Sequence, residues 1–535
     1  MRRPRAIWFA ILSVPLTCAP LWAGEDAAAL GARIAKGGSP GGVAPCQACH
    51  GASGGGDPAL ASPRLAGMAA GYLTRQLRDF RSGARRHPIM SPLVANLSDP
   101  EVEAVARHYA ALPAPAPAAV SDRGKDDTLA SELARWGDWS GRGLPGCSQC
   151  HGPDGNGVGA IFPALTAQPA GYLVAQLRAW RAGERANDPL GLMRSAASRL
   201  TDTEITALAE HYAAQPAGPA TPAPGTRLPR VSAGDPPGTD GVAAPPTATA
   251  PGQPAPGGGF TPPARADLPA GPFGDMVRLG QAIFQNTNRH PASASYVGND
   301  LACSHCHLDA GRLAGVAPMW AAWVAYPAYR AKTQRVDTFT TRVQGCFEYS
   351  MNGRAPTADD QVMVALTTYS AWLARGARSG DDAMPGRNYR RLTPPAQGFD
   401  PVRGQAVYAA KCVSCHGRDG RGVVDARAGT IFPPLWGSRS YNWGAGMHGI
   451  DVAAAFIVRA MPLGQGGSLS EQEAWDVAAY VNAHERPQDP RFTGSVRETA
   501  RRFHADPYSL YGKPGLDGRL LGAHPAQPKV RRQGR

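Results

Sequence analysis

Apolar residues recur at helical spacing in eight stretches of this chain, with polar residues on the opposite face. The pattern predicts helices over residues 26–36, 99–112, 129–140, 203–214, 273–286, 358–374, 402–411 and 470–484. Three of them open on paired polar residues that read as N-terminal caps: Asp99 with Glu101, Thr201 with Glu204, and Ser470 with Glu473. Residues 215–272 break the pattern. They are rich in Pro, Gly, Ala and Thr, lack Trp, Tyr, Met and Cys, and have Phe260 as their only aromatic residue. Such a stretch cannot bury a core and is expected to be a flexible, partly extended tether that leaves the geometry of the flanking halves unfixed. At the N-terminus, Arg2, Arg3 and Arg5 precede an apolar run from Ile7 to Leu16, with Ala23 as a small residue before a cut. This reads as a secretory signal over 1–23, too short for a membrane span and interrupted by Pro15. No later segment is apolar for 18 residues, so the mature protein is expected to be soluble and periplasmic.

Composition narrows the class. Hydrophobic residues make up 43% and charged residues 18%, with 64 Gly and 51 Pro, which excludes collagen, a coiled coil and a wholly disordered chain. Ten cysteines are too few for a disulfide scaffold, so their placement matters more than their number. Eight form four copies of one pattern: Cys46, Cys49 and His50; Cys147, Cys150 and His151; Cys303, Cys306 and His307; Cys412, Cys415 and His416. C-x-x-C-H is the attachment signature of c-type haem. Two thiols three positions apart on one turn can both reach the haem vinyl groups, and the adjacent histidine faces the iron. A zinc site would need two partner pairs, and a thioredoxin dithiol needs no histidine. Four copies behind an export signal therefore point to four covalently attached haem c groups.

The order helix, haem motif, loops, helix resembles a small class I cytochrome c domain, four times over. The resemblance implies a mainly α protein of two di-haem halves joined by the Pro/Gly-rich linker: domains 24–115 and 116–214, linker 215–272, domains 273–392 and 393–512, and a basic, disordered tail 513–535. The formal charge of +13 does not imply a nucleic-acid partner. That would need a basic patch on a suitable fold, and eight haem propionates offset much of the excess. The remaining histidines, His305, His448 and His504 among them, could each ligate a haem in principle, but most are expected at the surface.

The first half contains an internal repeat. Gly71-Tyr72-Leu73 with Gln76-Leu77-Arg78 returns as Gly171-Tyr172-Leu173 with Gln176-Leu177-Arg178. This half resembles di-haem cytochromes of the c4 type, electron carriers with methionine as the second iron ligand. The matching residues are Met90, forty positions after His50, and Met193, forty-two after His151. Met68 is an alternative for the first haem but comes too early. His/Met ligation raises the potential and suits an electron acceptor.

Cys346 is left over once the motifs and the signal's Cys18 are counted. It lies thirty-nine residues after His307, close to where the other domains place methionine, among Arg330, Lys332, Arg335, Arg342 and Arg354. Cations favour a thiolate, the form that both ligates and attacks; Met351 is the rival ligand. The run Tyr326-Pro327-Ala328-Tyr329-Arg330, then Arg342, then Cys346-Phe347-Glu348-Tyr349-Ser350-Met351-Asn352-Gly353 resembles thiosulfate dehydrogenase, the tetrathionate-forming di-haem cytochrome. The resemblance covers roughly residues 273–511. It implies that Cys346 is the distal ligand of the active-site haem, in a site with Arg330, Arg335, Arg342, Glu348 and Ser350, and that Met461 is the ligand of the fourth haem, with Met447 its rival. Some family members carry a lysine just before that methionine; here the residue is Ala460.

The expected reaction joins two thiosulfate ions into tetrathionate and releases two electrons to the fused di-haem acceptor. From there they pass to a soluble or membrane-bound acceptor such as another cytochrome c or a high-potential iron–sulfur protein. Two other readings compete: a tetra-haem carrier without its own substrate, and a cytochrome subunit of a thiosulfate-oxidising multienzyme system.

Overall fold

The computed structural model describes residues 27–39, 41–114, 129–139, 141–218, 221, 260–380, 384–425 and 429–527. The signal segment, the middle of the linker and residues 528–535 lie outside these. The regular structure of the described chain is mainly helical, joined by long loops, with three two-stranded antiparallel hairpins. None of its helices is long and apolar enough to cross a membrane.

In three of the four domains a helix before the haem motif crosses a helix near the domain's end, and one glycine makes the crossing possible. A Cβ on Gly31 would lie 2.2 Å from the Ala104 carbonyl oxygen; on Gly280, 2.1 Å from that of Ala365; on Gly404, 2.0 Å from that of Asp476. Backbone touches backbone at each crossing, so no larger residue fits. The paired helices are Ala27–Gly37 with Asp99–Ala111, Gly271–Gln285 with Gln361–Leu373, and Pro401–Lys411 with Glu471–Asn482. The second domain departs from this. Its first helix, expected over 129–140, spans only Leu129–Arg135 and gives way to a hairpin pairing Gly137–Asp138 with Leu144–Pro145. Gly137 takes φ +71, where a side chain would meet the Leu144 carbonyl at 2.1 Å.

Thr201 with Glu204 and Ser470 with Glu473 form the expected capping boxes. The third cap is Ser98 with Glu101, not Asp99, because only Ser98 has the extended backbone of a cap residue.

The internal repeat folds into a pseudo-two-fold pair. Arg85 donates to Gln76 at 2.9 Å and to Gln176 at 2.8 Å, and Arg185 donates to Gln176 at 2.6 Å and to Gln76 at 2.9 Å. Arg85 stacks on Phe80 as Arg185 does on Trp180. Each repeat thus completes the other's polar network in a buried seam.

Two expectations about the connecting segments fail. The linker is anchored at both described ends. Gly218 donates to Asn156 at 2.7 Å and Thr221 pairs with Val158, while Phe260 packs 5.1 Å from the Trp320 ring and Arg265 pairs with Asp309. The two halves also touch directly: Val158 and Phe162 bury against Val423 and Phe432, with the two phenyl rings 5.2 Å apart. Apolar side chains from separate halves remove one another from water and fix a geometry that a tether alone would leave open. The tail fails the same way, since residues 513–527 fold back. Leu521 is buried against Trp443 and Tyr511, and Ala526 donates to the Arg486 carbonyl.

Candidate active site and haem pockets

The four haem-motif histidines share one arrangement. Nδ1 of His50, His151, His307 and His416 lies 2.9, 2.7, 2.6 and 2.9 Å from the carbonyl oxygens of Pro63, Pro163, Ala317 and Pro433. A carbonyl can only accept, so Nδ1 carries the proton and Nε2 keeps its lone pair for a metal. Burial holds all four histidines below their usual pKa; His307, with Arg342 nearby, is pushed down to about 4. Neutral imidazole is the form that ligates iron.

The surroundings fit haem. Arg64 is fully buried, its guanidinium drawn down to about 10 by burial, and among the described residues it has no carboxylate partner and its Nε no acceptor. Trp372 Nε1, Trp475 Nε1 and Arg486 Nε are buried donors also without acceptors. Such groups are costly unless an anion or acceptor joins them, and propionates are of that kind. A cavity of about 1450 Å³ runs between the second, third and fourth domains, lined by Cys150, Cys306, Cys412, Cys415, His416 and Met461. It exceeds the roughly 300–1,000 Å³ of a single small-molecule pocket.

Met90 and Met193 begin or lie in the short helices Met90–Val94 and Leu192–Ala197, each partly buried. Met68 instead sits in the seam between repeats, where its sulfur accepts from Gln168 at 3.5 Å. Met461 packs with Phe456 and Leu463, and Met447 lines the same cavity. Met351 is 4% exposed in the third domain's apolar core.

Cys346 follows the helix Phe339–Gly345 and opens a π-helical turn, Cys346–Ser350, a wider winding that often marks functional positions. Arg342, one turn earlier on the same face, donates from Nη1 to Cys346 Sγ at 2.8 Å. The charge of Cys346 is the main cause raising the Arg342 pKa, and it adds to the burial that pushes the Cys303 and Cys306 thiols up to about 12. The Cys346 sulfur, the Arg342 guanidinium and the third haem motif therefore share one locus. The fourth domain holds the turn in place, with Asn442 donating to the Glu348 carbonyl at 2.9 Å and to Asn352 Oδ1 at 3.0 Å.

The other expected site residues divide. Arg330 and Arg335 face each other across the hairpin of Ala328–Arg330 with Arg335–Asp337, and both bind the buried Asp337, at 3.2 and 3.0 Å. The Arg335 side chain is 65% exposed, so it belongs to the hairpin surface rather than to the Cys346 sulfur. Glu348 is exposed too, because the π turn carries it to the outside. Ser350 closes the turn, half-buried. Arg354 stacks on Tyr296, 4.6 Å from its ring, away from Cys346.

Two cations take the place these leave. Lys332 Nζ donates to the Gly444 carbonyl and lies 3.8 Å from the Tyr349 ring. Burial, reinforced by Arg491, Arg342 and Arg330, pulls its pKa down to about 7. Arg491 lies 5.4 Å from the same ring, held by Asp489 at 2.7 Å. Asp489 also meets His504 at 2.9 Å, and His504 meets His448 at 3.1 Å. His504 is 4% exposed rather than at the surface, with the Tyr511 ring stacked on it at 4.3 Å. His305 lines the large cavity, pushed down to about 4 by burial. Arg491 lies 145 residues beyond Cys346, and no local signal marks it.

Residues 294–378 match the model of the SoxA/TsdA cytochrome c domain, residues 144–212 that of cytochrome c, and residues 400–481 that of cytochrome c oxidase, cbb3-type, subunit III. Fold, motifs and pockets define a class: a multi-domain class I cytochrome with covalently bound haem c, one domain of which sets a cysteine, Cys346, against an arginine, Arg342. The chain is 53% identical over 265 residues to the thiosulfate dehydrogenase of Stutzerimonas stutzeri (strain A1501), a match covering 49% of this chain and 85% of that protein. It is 51% identical over 168 residues to the thiosulfate dehydrogenase electron acceptor of the same organism, covering 31% and 77%; the solved thiosulfate dehydrogenase (TsdBA) of Marichromatium purpuratum superposes with TM-score 0.81 at 49% identity, covering 93% of this chain and 99% of that one. The chain belongs to the thiosulfate dehydrogenase family, in the form that joins acceptor cytochrome and dehydrogenase in one polypeptide.

Proposed function

We propose that this chain, in the periplasm and with four haem c groups, oxidises two thiosulfate ions to tetrathionate at Cys346. The observation that carries the reading is the 2.8 Å contact from Arg342 to the Cys346 sulfur beside the third haem motif. Haem c, when bound, supplies one-electron acceptors at an iron held by His307 with Cys346, by His416 with Met461, by His50 with Met90 and by His151 with Met193.

Two dianions repel by roughly 4 kcal/mol at ~4 Å in water, and by more in a drier site. Arg342, with Lys332 and Arg491 behind Tyr349, supplies the fixed positive charge that offsets this. The Cys346 thiolate forms a bond to the sulfane sulfur of the first thiosulfate. Thiolate and dianion together lose two electrons and leave a singly charged S-sulfo-persulfide on Cys346. The second thiosulfate attacks the sulfur next to Cys346, tetrathionate departs, and the thiolate returns. No proton is consumed. Electrons leave through the fourth domain. Cys415 there lies within electrostatic reach of Cys150 across the Phe162–Phe432 contact, so the second domain receives them and the first domain passes them out. The reaction is reversible by the same steps.

The test is reduction of the holoprotein by thiosulfate, followed in the haem absorption bands, with tetrathionate assayed. Haem reduction with one tetrathionate per two electrons is expected. Reduction without free tetrathionate would move the chain to the multienzyme reading, and no reduction would leave only a carrier.

A further inference from the structure

The internal repeat supplies two copies of one surface, and only one of them is covered. In the second domain, the face around Met193 docks on the fourth domain. Gln465 donates to the Leu190 carbonyl at 2.8 Å, Ser195 and Arg199 donate to the Gly464 carbonyl at 3.3 and 3.1 Å, and Leu192 packs on the Val158, Phe162, Val423 and Phe432 cluster. The repeat places Ile89 where the second domain has Leu192. It places Asp57 and Ser62, which pair across a loop as Val158 and Phe162 do, where those two apolar residues stand. On the first domain, among the described residues, the loop rests on the second domain only through Ala61, beside Gly171, and the rest of this face is open: Ile89 is 61% exposed, as is Leu60 at the tip of the 57–62 loop.

We propose that this face of the first domain, Ile89 with the 57–62 loop, is the docking surface for a small class I cytochrome c that takes electrons from the chain. The proposal rests on the reading of the first domain as the exit. The occupant follows from the repeat, because the equivalent face already holds a class I cytochrome domain by the loop around its methionine. The changes follow from the different lifetimes of the two contacts. A permanent intramolecular contact is sealed by Val158 and Phe162. A partner that must leave after each electron meets Asp57 and Ser62 around a smaller apolar centre, as in electron-transfer encounters below about 1,200 Å² with polar rims.

The experiment compares full-length holoprotein with I89E and L60E. Each is fully reduced with ascorbate, so that thiosulfate chemistry plays no part, and mixed with a small oxidised mono-haem class I cytochrome c or with ferricyanide, which needs no docking surface. The second-order rate with the cytochrome is expected to fall about tenfold in I89E and less in L60E, with the ferricyanide rate unchanged. NMR shifts of the small cytochrome on titration with oxidised holoprotein are expected to vanish with I89E. Four results would overturn the proposal: unchanged cytochrome rates in both variants, an equal fall with ferricyanide, NMR shifts that persist, or a loss seen with a high-potential iron–sulfur protein and not with the cytochrome. Haem reduction by thiosulfate, measured separately, reports on the catalytic reading alone.

Discussion

The third and fourth domains begin alike and end differently. Both cross their first and last helices over a glycine, Gly280 and Gly404, and both orient the motif histidine through Nδ1 to a carbonyl. They part at the far side of the pocket. The fourth domain brings Met461 among the apolar side chains of Phe456 and Leu463. The third brings Cys346 on a π turn with Arg342 on its sulfur, and Lys332 and Arg491 flanking Tyr349 nearby. On the proposed function, one scaffold serves storage around Met461 and chemistry around Cys346, and the cations beside Cys346, rather than the fold, separate carrier from catalyst.

The comparison breaks most sharply if the third domain is made to resemble the fourth. Cys346→Met is expected to lower thiosulfate turnover by ~10³-fold or more while the protein still loads haem and melts near the wild-type temperature; steady-state kinetics and a thermal melt check this. Arg342→Gln keeps the Cys346 sulfur and removes its cation. A fall of ~10²-fold in kcat/KM is expected, the usual cost of losing one donor at developing charge. Lys332 sharpens the picture through pH. Its pKa, lowered to about 7, leaves it charged below that pH and neutral above, and only the charged form attracts a dianion. KM for thiosulfate is therefore expected to rise about tenfold between about pH 6 and about pH 9, and Lys332→Met should show a high KM that no longer changes over this range. The smallest effect belongs to the groups the structure sets outside. Arg335→Gln and Glu348→Gln are expected to change kcat/KM by less than about twofold, as for exposed charges.

Local features were legible. The spacing C-x-x-C-H marked the haem motifs, and helical periodicity placed seven of the eight expected helices to within a few residues; the eighth stopped at Arg135, where Gly137 turns the chain. Cys346 stood out because it was the cysteine with no motif. The site's cations were only partly legible. Arg342 was visible as the residue one helical turn before Cys346. Arg330 and Arg335 looked equally apt along the chain, yet a hairpin aims both at Asp337, and Glu348 is turned outward by one extra residue in the helical winding.

The amino-acid order by itself determined which atoms bind haem and which thiol stands apart, because those depend on covalent spacing along a few residues. Only the tertiary structure decided which charges face that thiol and how the halves meet. Arg491 reaches Tyr349 because the chain returns through the fourth domain, and Phe162 finds Phe432 across a linker whose composition promised no contact. Electrostatic influence and apolar burial act through space, over distances that separation along the chain does not measure.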